Sequence, residues 1–421
     1  MDENYGDMDD SFKKEITDII VGTADGMFLL PALQIQSVLE QTSISKRRAA
    51  LGTMPRSLED SFQVNIDIIN GQTPERAHQG MEILKWTYLA ERQLTVAELC
   101  HALAATDSMS DSLDLNDLPF ENTLLNYCHG LVILDEETSS IRFVHKSLQE
   151  FLKKKHENKE LFETGHCDIY LTCLNYMKFK ETSITEPTDK SDYQCNVSLF
   201  DRFPFLKYSI CFWGEHVREQ IDQEVTDRTL EFLSNEYPHF LLHCRLYIVV
   251  MSEAMYESQE FYGLHLAAYF GLVGVASAII DRFGDNLITL SVCEKTPMLL
   301  ATERGHEAIV RLLLEKRNAI HDLAKPLEIA IAQGFEKIVG LLLDNGDEST
   351  INLKVTDRSE SLLSCAAMNG HLPICLLLLE RDADIESRDN NVSTPLSQAS
   401  YEGRMDVMNL LLERHRYRIA R

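Results

Sequence analysis

Fourteen histidines and ten cysteines are the side chains of this 421-residue chain best suited to nucleophilic, acid–base or metal chemistry. Their spacing does not gather them. There is no C-x-x-C and no H-E-x-x-H, the arrangements that set two ligands toward one zinc ion. No G-x-S-x-G turn lifts a serine nucleophile above a sheet. The histidines and cysteines fall mostly one per predicted helix and read as singletons; Cys365 and Cys375 read as packed thiols on two successive helices. VILDEE, ending at Glu137, has the apolar-then-acidic form of a magnesium-binding strand. Phosphate binding also needs G-x-x-x-x-G-K-[ST], whose backbone amides cradle the phosphates, and the chain has no Gly-Lys dipeptide. VILDEE is therefore read as one half of a hairpin. These residues predict no catalytic centre, no metal, no cofactor and no small-molecule substrate.

What the chain does repeat is a packing unit. TPMLLATERGHEAIVRLLL from Thr296 has four relatives, which start at Tyr262, Lys325, Leu362 and Thr394. Their glycines, Gly271, Gly305, Gly334, Gly370 and Gly403, are 34, 29, 36 and 33 residues apart. Thr296 and Thr394 can cap a helix, with Pro297 and Pro395 at its first position, where no amide hydrogen is missed. Ala267, Ala301, Ala330, Ala366 and Ala399 recur where a larger side chain would push neighbours apart. Each glycine then ends the first helix, a left-handed residue being cheapest without a Cβ. The second helix carries the apolar stripe, as in Ile309, Val310, Leu312, Leu313 and Leu314. Burying one such side chain contributes roughly 1.5–3 kcal/mol, and only the adjacent repeat is there to bury it.

A period near 33 with a T-P-L-H-x-A-like opening resembles an ankyrin array. The expectation is an α-solenoid of about five repeats over residues 259–421. Such arrays typically bind proteins along the face made by turn tips and first helices. The side chains just before each glycine change in chemistry while the packing positions do not. Tyr269 and Phe270, Glu303 and Arg304, Met368 and Asn369, Tyr401 and Glu402 are therefore the expected partner contacts.

Composition bounds the rest. A hydrophobic share of 44% with 25% charged residues describes a globular protein of several domains. A net charge of −26 argues against nucleic acid or an anionic membrane as the main partner. Scattered cysteines suit reduced thiols in a cytoplasmic protein, and neither a signal peptide nor an apolar run of membrane-spanning length is evident.

Upstream, Thr73-Pro74 starts one helix, and Thr95 with Glu98 forms a capping box that starts the next. A third helix over Leu124–Cys128 precedes LVILDEETSSIRFVH, two short β runs about a polar turn. Three helices then a hairpin is the order of a winged helix. Its third helix, Glu121–His129, carries no lysine or arginine to meet phosphate, against a DNA-binding use. FPFLKYSICFWGEHVRE, with Trp213 and Phe212 as core anchors, belongs to a helical connector that should cover the array's first repeat.

GMFLLPALQIQSVLEQ, LGTMPRSLEDSF, ILKWTYLAERQLTVAELCHAL and NYCHGLVILDEETSSIRFVHKSLQEFL, in that order, resemble the end of a NACHT-type STAND nucleotide switch. The resemblance includes the winged helix named after a GPI inositol-deacylase, and in fungal-type members ankyrin or WD repeats follow. It covers residues 10 to 155 plus the array, and it implies an ATPase core that this chain lacks. It also implies a role for His145: in related switches a histidine at the start of the helix after the wing contacts the ADP β-phosphate. The competing reading makes His145 a cap for the Ser147–Leu152 helix. The expected domains are an acidic tail with the end of a NACHT-type module (1–55), the winged helix (56–155), the helical connector (156–258) and the repeats (259–421). The expected function is non-enzymatic protein binding through the array, the alternative a nucleotide-regulated switch whose core lies elsewhere.

Overall fold

A computed structural model describes residues 10–23, 38, 43–52, 57–107, 112–179, 182, 199–218, 222–234, 263–284, 295–316, 323–356 and 359–419. The acidic first residues, the helix expected over GMFLLPALQIQSVLEQ (Val38 apart), most of the loop between Thr182 and Asn196, and the segment PHFLLHCRLYIVVMSEAM lie outside them. The protein is mostly helical and divides into two compact units, Met1–His216 and Val217–Arg421.

In the first unit α1 (Asp10–Thr23) meets α2 (Ile44–Gly52) through Arg48, which pairs with Glu15 at 3.2 Å and lies 5.0 Å over the Phe12 ring. Helix α3 (Leu58–Asn70) starts where Ser57 Oγ accepts from the Asp60 amide, and it buries Phe62, Ile66 and Ile69 along one stripe. Pro74 occupies the first position of α4 (Pro74–Leu89). The expected capping box opens α5 (Val96–Asp107): the Glu98 amide donates to Thr95 Oγ1 and the Thr95 amide to Glu98 Oε2. Glu98 is bound further by both Arg92 nitrogens, at 2.6 and 2.8 Å.

The expected third helix is a single turn, α6 (Glu121–Leu124), tightening into a 3-10 turn over Leu125–Cys128. His129 and Gly130, both left-handed, end it. The hairpin follows as β1 (Val132–Asp135) and β2 (Ser140–Phe143), antiparallel with Val132 opposite Phe143. Leu94–Val96 extends its edge: the Ile141 amide donates to Leu94 O at 2.8 Å and the Val96 amide to Ser139 O at 3.1 Å. VILDEE is thus the first strand of the wing and its turn.

The charged KKKHENKE stretch is largely the end of α7 (Lys146–Glu157), where Lys154, Lys155 and His156 complement the helix dipole. Helix α8 (Gly165–Lys178) packs on α4 and α5, and α9 (Phe205–Arg218) supplies aromatics to the same core. Trp86 meets the edge of Phe205 at 5.3 Å, and Phe205 stacks on Tyr208 at 5.5 Å. Trp213 is fully buried as expected, whereas Phe212 is only half-buried and lies under Arg92.

Among the described residues of the second unit, α10 (Gln223–Ser234) is followed by five helix pairs. These are α11 (Gly263–Phe270) with α12 (Val273–Phe283), α13 (Pro297–Glu303) with α14 (Glu307–Glu315), and α15 (Ala324–Gln333) with α16 (Glu336–Asp344). The last two are α17 (Leu362–Asn369) with α18 (Leu372–Glu380), and α19 (Pro395–Tyr401) with α20 (Met405–Ile419). First helices pack on first helices and second on second, and α10 packs on α12. No helix among the described residues is long and apolar enough to cross a membrane.

Candidate functional site

The repeat's recurring residues do in space what their positions require. Thr296 Oγ1 accepts from the Leu299 amide, and Thr394 with Ser397 forms a reciprocal capping box, each with a proline at the first helical position. All five recurring alanines are fully buried. Ile309, Val310, Leu313 and Leu314 form the buried stripe of α14, and Leu312 is half-buried. The five turn glycines have φ between +68° and +80°.

Those glycines have a second reason to lack a side chain. A Cβ on Gly271 would lie 2.9 Å from His306, on Gly305 2.9 Å from Phe335, on Gly334 2.8 Å from His371, and on Gly370 2.8 Å from Arg404. In each case the intruder is the residue just after the next repeat's glycine. Three of these side chains also bond back across the joint. His306 Nε2 meets Tyr269 O at 2.8 Å, His371 Nε2 meets Ala332 O at 3.2 Å, and Arg404 Nε donates to Met368 O at 3.1 Å. The Phe335 ring fills its joint without a hydrogen bond. The residue after the glycine was thus missed as a functional position. Its signal was present in GH, GF, GH and GR, a ring or guanidinium in phase four times.

This changes the standing of the expected contact residues. Phe270 is a core side chain with no exposed area, and it drops out: the last turn of α11 points it into the repeat. Tyr269 is half-buried, with the Arg304 guanidinium 4.8 Å over its ring, so these two are partners of each other across a joint. Glu303 is half-buried and ion-paired with Lys295. Met368 is half-buried, and Asn369 donates to Cys365 O at 2.9 Å. Arg304, Tyr401 and Glu402 are exposed, Tyr401 at 86%.

One more exposed group stands out. Val392, at a hairpin tip before α19, is 61% exposed with φ +65°, a left-handed conformation that costs a branched residue about 1–2 kcal/mol. Asp389 holds that tip, Oδ1 accepting from the amides of Asn391 and Ser393 and Oδ2 from Gln398 Nε2. The neighbouring hairpin ties to it through Lys354 Nζ on Arg388 O and Asn352 Oδ1 on the Asp384 amide.

In the first unit, His145 is the N-cap of α7. Its Nδ1 accepts from the Ser147 amide at 3.1 Å. A cleft of about 420 Å³ along the same helix is lined by Tyr88, Lys146, Lys153, His156 and His166 among others, not by His145. Three histidines read as singletons come together here: the His156 and His166 rings are 6.1 Å apart, those of His166 and His216 5.2 Å. The Glu91 amide donates to Tyr208 Oη, Tyr208 Oη lies 2.9 Å from His216 Nε2, and His216 Nδ1 lies 2.9 Å from His166 Nδ1. Burial, then the nearby His166, pushes His216 down to about 3, so its ring is neutral at neutral pH. Burial drives the thiols the other way. Cys128, Cys365 and Cys375 are each pushed up to about 12, which makes them poor nucleophiles.

Comparison with known families bears on both units. Residues 264–357 and 348–420 match the model of ankyrin repeats in three copies, and residues 72–162 match the GPI inositol-deacylase winged helix domain. Among curated relatives, ankyrin repeat and KH domain-containing protein 1 of Homo sapiens is 35% identical over 105 residues, 24% of this chain and 4% of that protein. Ankyrin repeat and KH domain-containing protein mask-1 of Caenorhabditis elegans is 32% identical over 162 residues, 37% of this chain and 6% of its own length. Ankyrin repeat protein nuc-2 of Neurospora crassa is 29% identical over 168 residues, 37% of this chain and 15% of its own. The chain thus spans a small fraction of the relatives it matches.

Proposed function

We propose that the protein is a non-enzymatic interaction protein of the cytoplasm that binds another protein through its ankyrin array. One observation carries the reading: within each repeat the buried positions are uniform and the exposed ones diverge. The five alanines are fully buried, whereas the exposed positions present an arginine at 304, a strained valine at 392 and a tyrosine at 401. Exposed side chains of differing chemistry on a uniform buried frame are what a specific partner reads. The ankyrin relatives and the buried, unreactive thiols support the same reading.

The test is affinity capture from a lysate, comparing the unaltered chain with an Arg304→Ala, Val392→Asp double variant. The reading expects a specific set of proteins to be lost by the variant while its unfolding midpoint holds. Retention of the same proteins by both chains would refute it.

The order of a winged helix of this type followed by ankyrin repeats supports a second reading, the far end of a NACHT-type signalling switch whose nucleotide-binding core is supplied elsewhere. In that reading His145 would sense nucleotide only in the complete switch. Calorimetric titration of this chain with ADP should show no heat of binding; saturable binding lost in His145→Ala would place a nucleotide site here.

A further inference from the structure

Asparagine followed by glycine occurs three times in the chain, at Asn70-Gly71, Asn345-Gly346 and Asn369-Gly370. The pair is chemically labile, because no β-carbon on the glycine hinders its amide nitrogen from reaching the asparagine side-chain carbon. Attack needs that amide released from its hydrogen bonds and its backbone free to turn, so the fold decides which of the three reacts. The Gly71 amide donates to Asp67 O at 2.9 Å and to Ile68 O at 3.2 Å, closing α3. Gly370, left-handed, donates to Ala366 O and Ala367 O at the end of α17, and Asn369 beside it is half-buried.

Asn345-Gly346 is held least. Asn345 lies just past α16 and is exposed. The Gly346 amide donates to Leu343 O at 3.3 Å, beyond the ordinary N–H···O range of roughly 2.7–3.2 Å. Asn345 is also the one whose loss the helix would feel. Its Nδ2 donates to Leu341 O at 2.9 Å, which satisfies a carbonyl in the last turn of α16. The preceding Asp344 pairs with Arg381 of the next repeat at 2.7 Å.

We infer that Asn345 is a self-modification site, which turns to aspartate and isoaspartate with water as the only co-reactant, while the fold keeps Asn70 and Asn369 intact. The Gly346 nitrogen, its proton lost to solvent, attacks Asn345 Cγ. The N–Cγ bond forms, the Cγ–Nδ2 bond breaks, and the side-chain nitrogen takes up a proton and leaves as ammonia. Water then opens the succinimide ring at one carbonyl or the other. Either product puts a carboxylate where the amide donor stood. It has no hydrogen to give Leu341 O at neutral pH, and it sets negative charge at the negative end of the α16 dipole. The isoaspartyl product also lengthens the main chain by one methylene. The second helix of the third repeat is thereby loosened with age, whatever the array binds.

The test holds the full chain native at pH 8 for days and follows it by tryptic peptide mapping with mass spectrometry, each of the three asparagines lying on its own tryptic peptide. Asn345 should gain aspartyl and isoaspartyl forms about tenfold faster, or more, than Asn70 or Asn369. In urea the three rates should converge, because the dipeptide is the same. Asn70 or Asn369 leading in the native chain, or three equal native rates, would overturn the inference. An unchanged ranking in urea would do so too, since the fold would then not be what selects the site. Asn345→Asp, which imitates one product, should lower the urea midpoint, and Asn345→Gln, which keeps the amide, should lower it less. A midpoint that Asn345→Asp leaves in place would refute the effect on α16.

Discussion

Gly305 and Gly403 offer a matched pair that separates the two reasons for a turn glycine. Both are left-handed, at φ +72° and +68°. Replacing either by alanine therefore costs the left-handed strain of an L-residue, about 1–2 kcal/mol. The stiffer unfolded chain offsets some of this, by about 0.4–1 kcal/mol. At Gly403 nothing else is met within 4 Å, so the net loss should be about 1 kcal/mol. At Gly305 the new methyl would lie 2.9 Å from Phe335 Cζ and 3.0 Å from its Cε1. The ring must turn or the repeats must part, which adds about 1–3 kcal/mol of overpacking. Gly305→Ala should therefore cost about 2–4 kcal/mol in all. Equilibrium urea unfolding followed by circular dichroism gives both numbers, with the m-value checking that cooperativity survives. A second variant localises the difference: Phe335→Ala in the Gly305→Ala background should recover part of it. Equal losses at the two glycines would refute the joint described here, leaving the left-handed turn as the whole explanation.

Other expectations follow from the first unit. Lys85 is nearly buried, its Nζ 2.6 Å from Glu82 Oε1 and 3.2 Å from Asp168 Oδ2, while the other Glu82 oxygen, Oε2, is buried without a hydrogen-bond partner. Lys85→Ala should cost about 3 kcal/mol by stranding a carboxylate, read by tryptophan fluorescence, and Lys85→Met with Glu82→Gln should restore most of it. His216 is held neutral in the fold, down at about 3, so its contribution is complete above the ordinary histidine value and is lost as pH falls toward its folded value. His101, lowered to about 4 by burial, acts in the same sense. The urea midpoint seen by Trp86 and Trp213 should thus fall between pH 7 and pH 5; a flat or rising midpoint would contradict the buried neutral rings. Finally, Cys128, Cys365 and Cys375 should resist iodoacetamide at pH 8 in the native chain and react in urea; rapid native labelling would show thiolate character that burial denies.

How much was legible in the sequence depends on the range of the interaction. Caps, prolines, turn glycines and the Thr95–Glu98 box are bonds between residues at most four apart, so their signal is a local spacing, and each sits where the spacing placed it. The third helix of the winged helix was read too regular because its end is set at a distance. A Cβ at Gly80 of α4 would lie 2.7 Å from Tyr127 O, so the 3-10 turn is pressed onto that helix. The histidine cluster was unreadable for the same reason: His166 and His216 are 50 residues apart and meet only because α8 and α9 share a core with Trp86 and Tyr208. The joints of the array lie between these cases. His306 reaches Tyr269 O across 37 residues, beyond any local rule, yet the period carries that contact from joint to joint. A long-range contact becomes readable once its spacing recurs. The cover of Tyr269 by Arg304 was not foreseen because each repeat was read as a unit with its own surface. Every joint shows that the surface of one repeat is completed by the next, so a residue's exposure is a property of the pair.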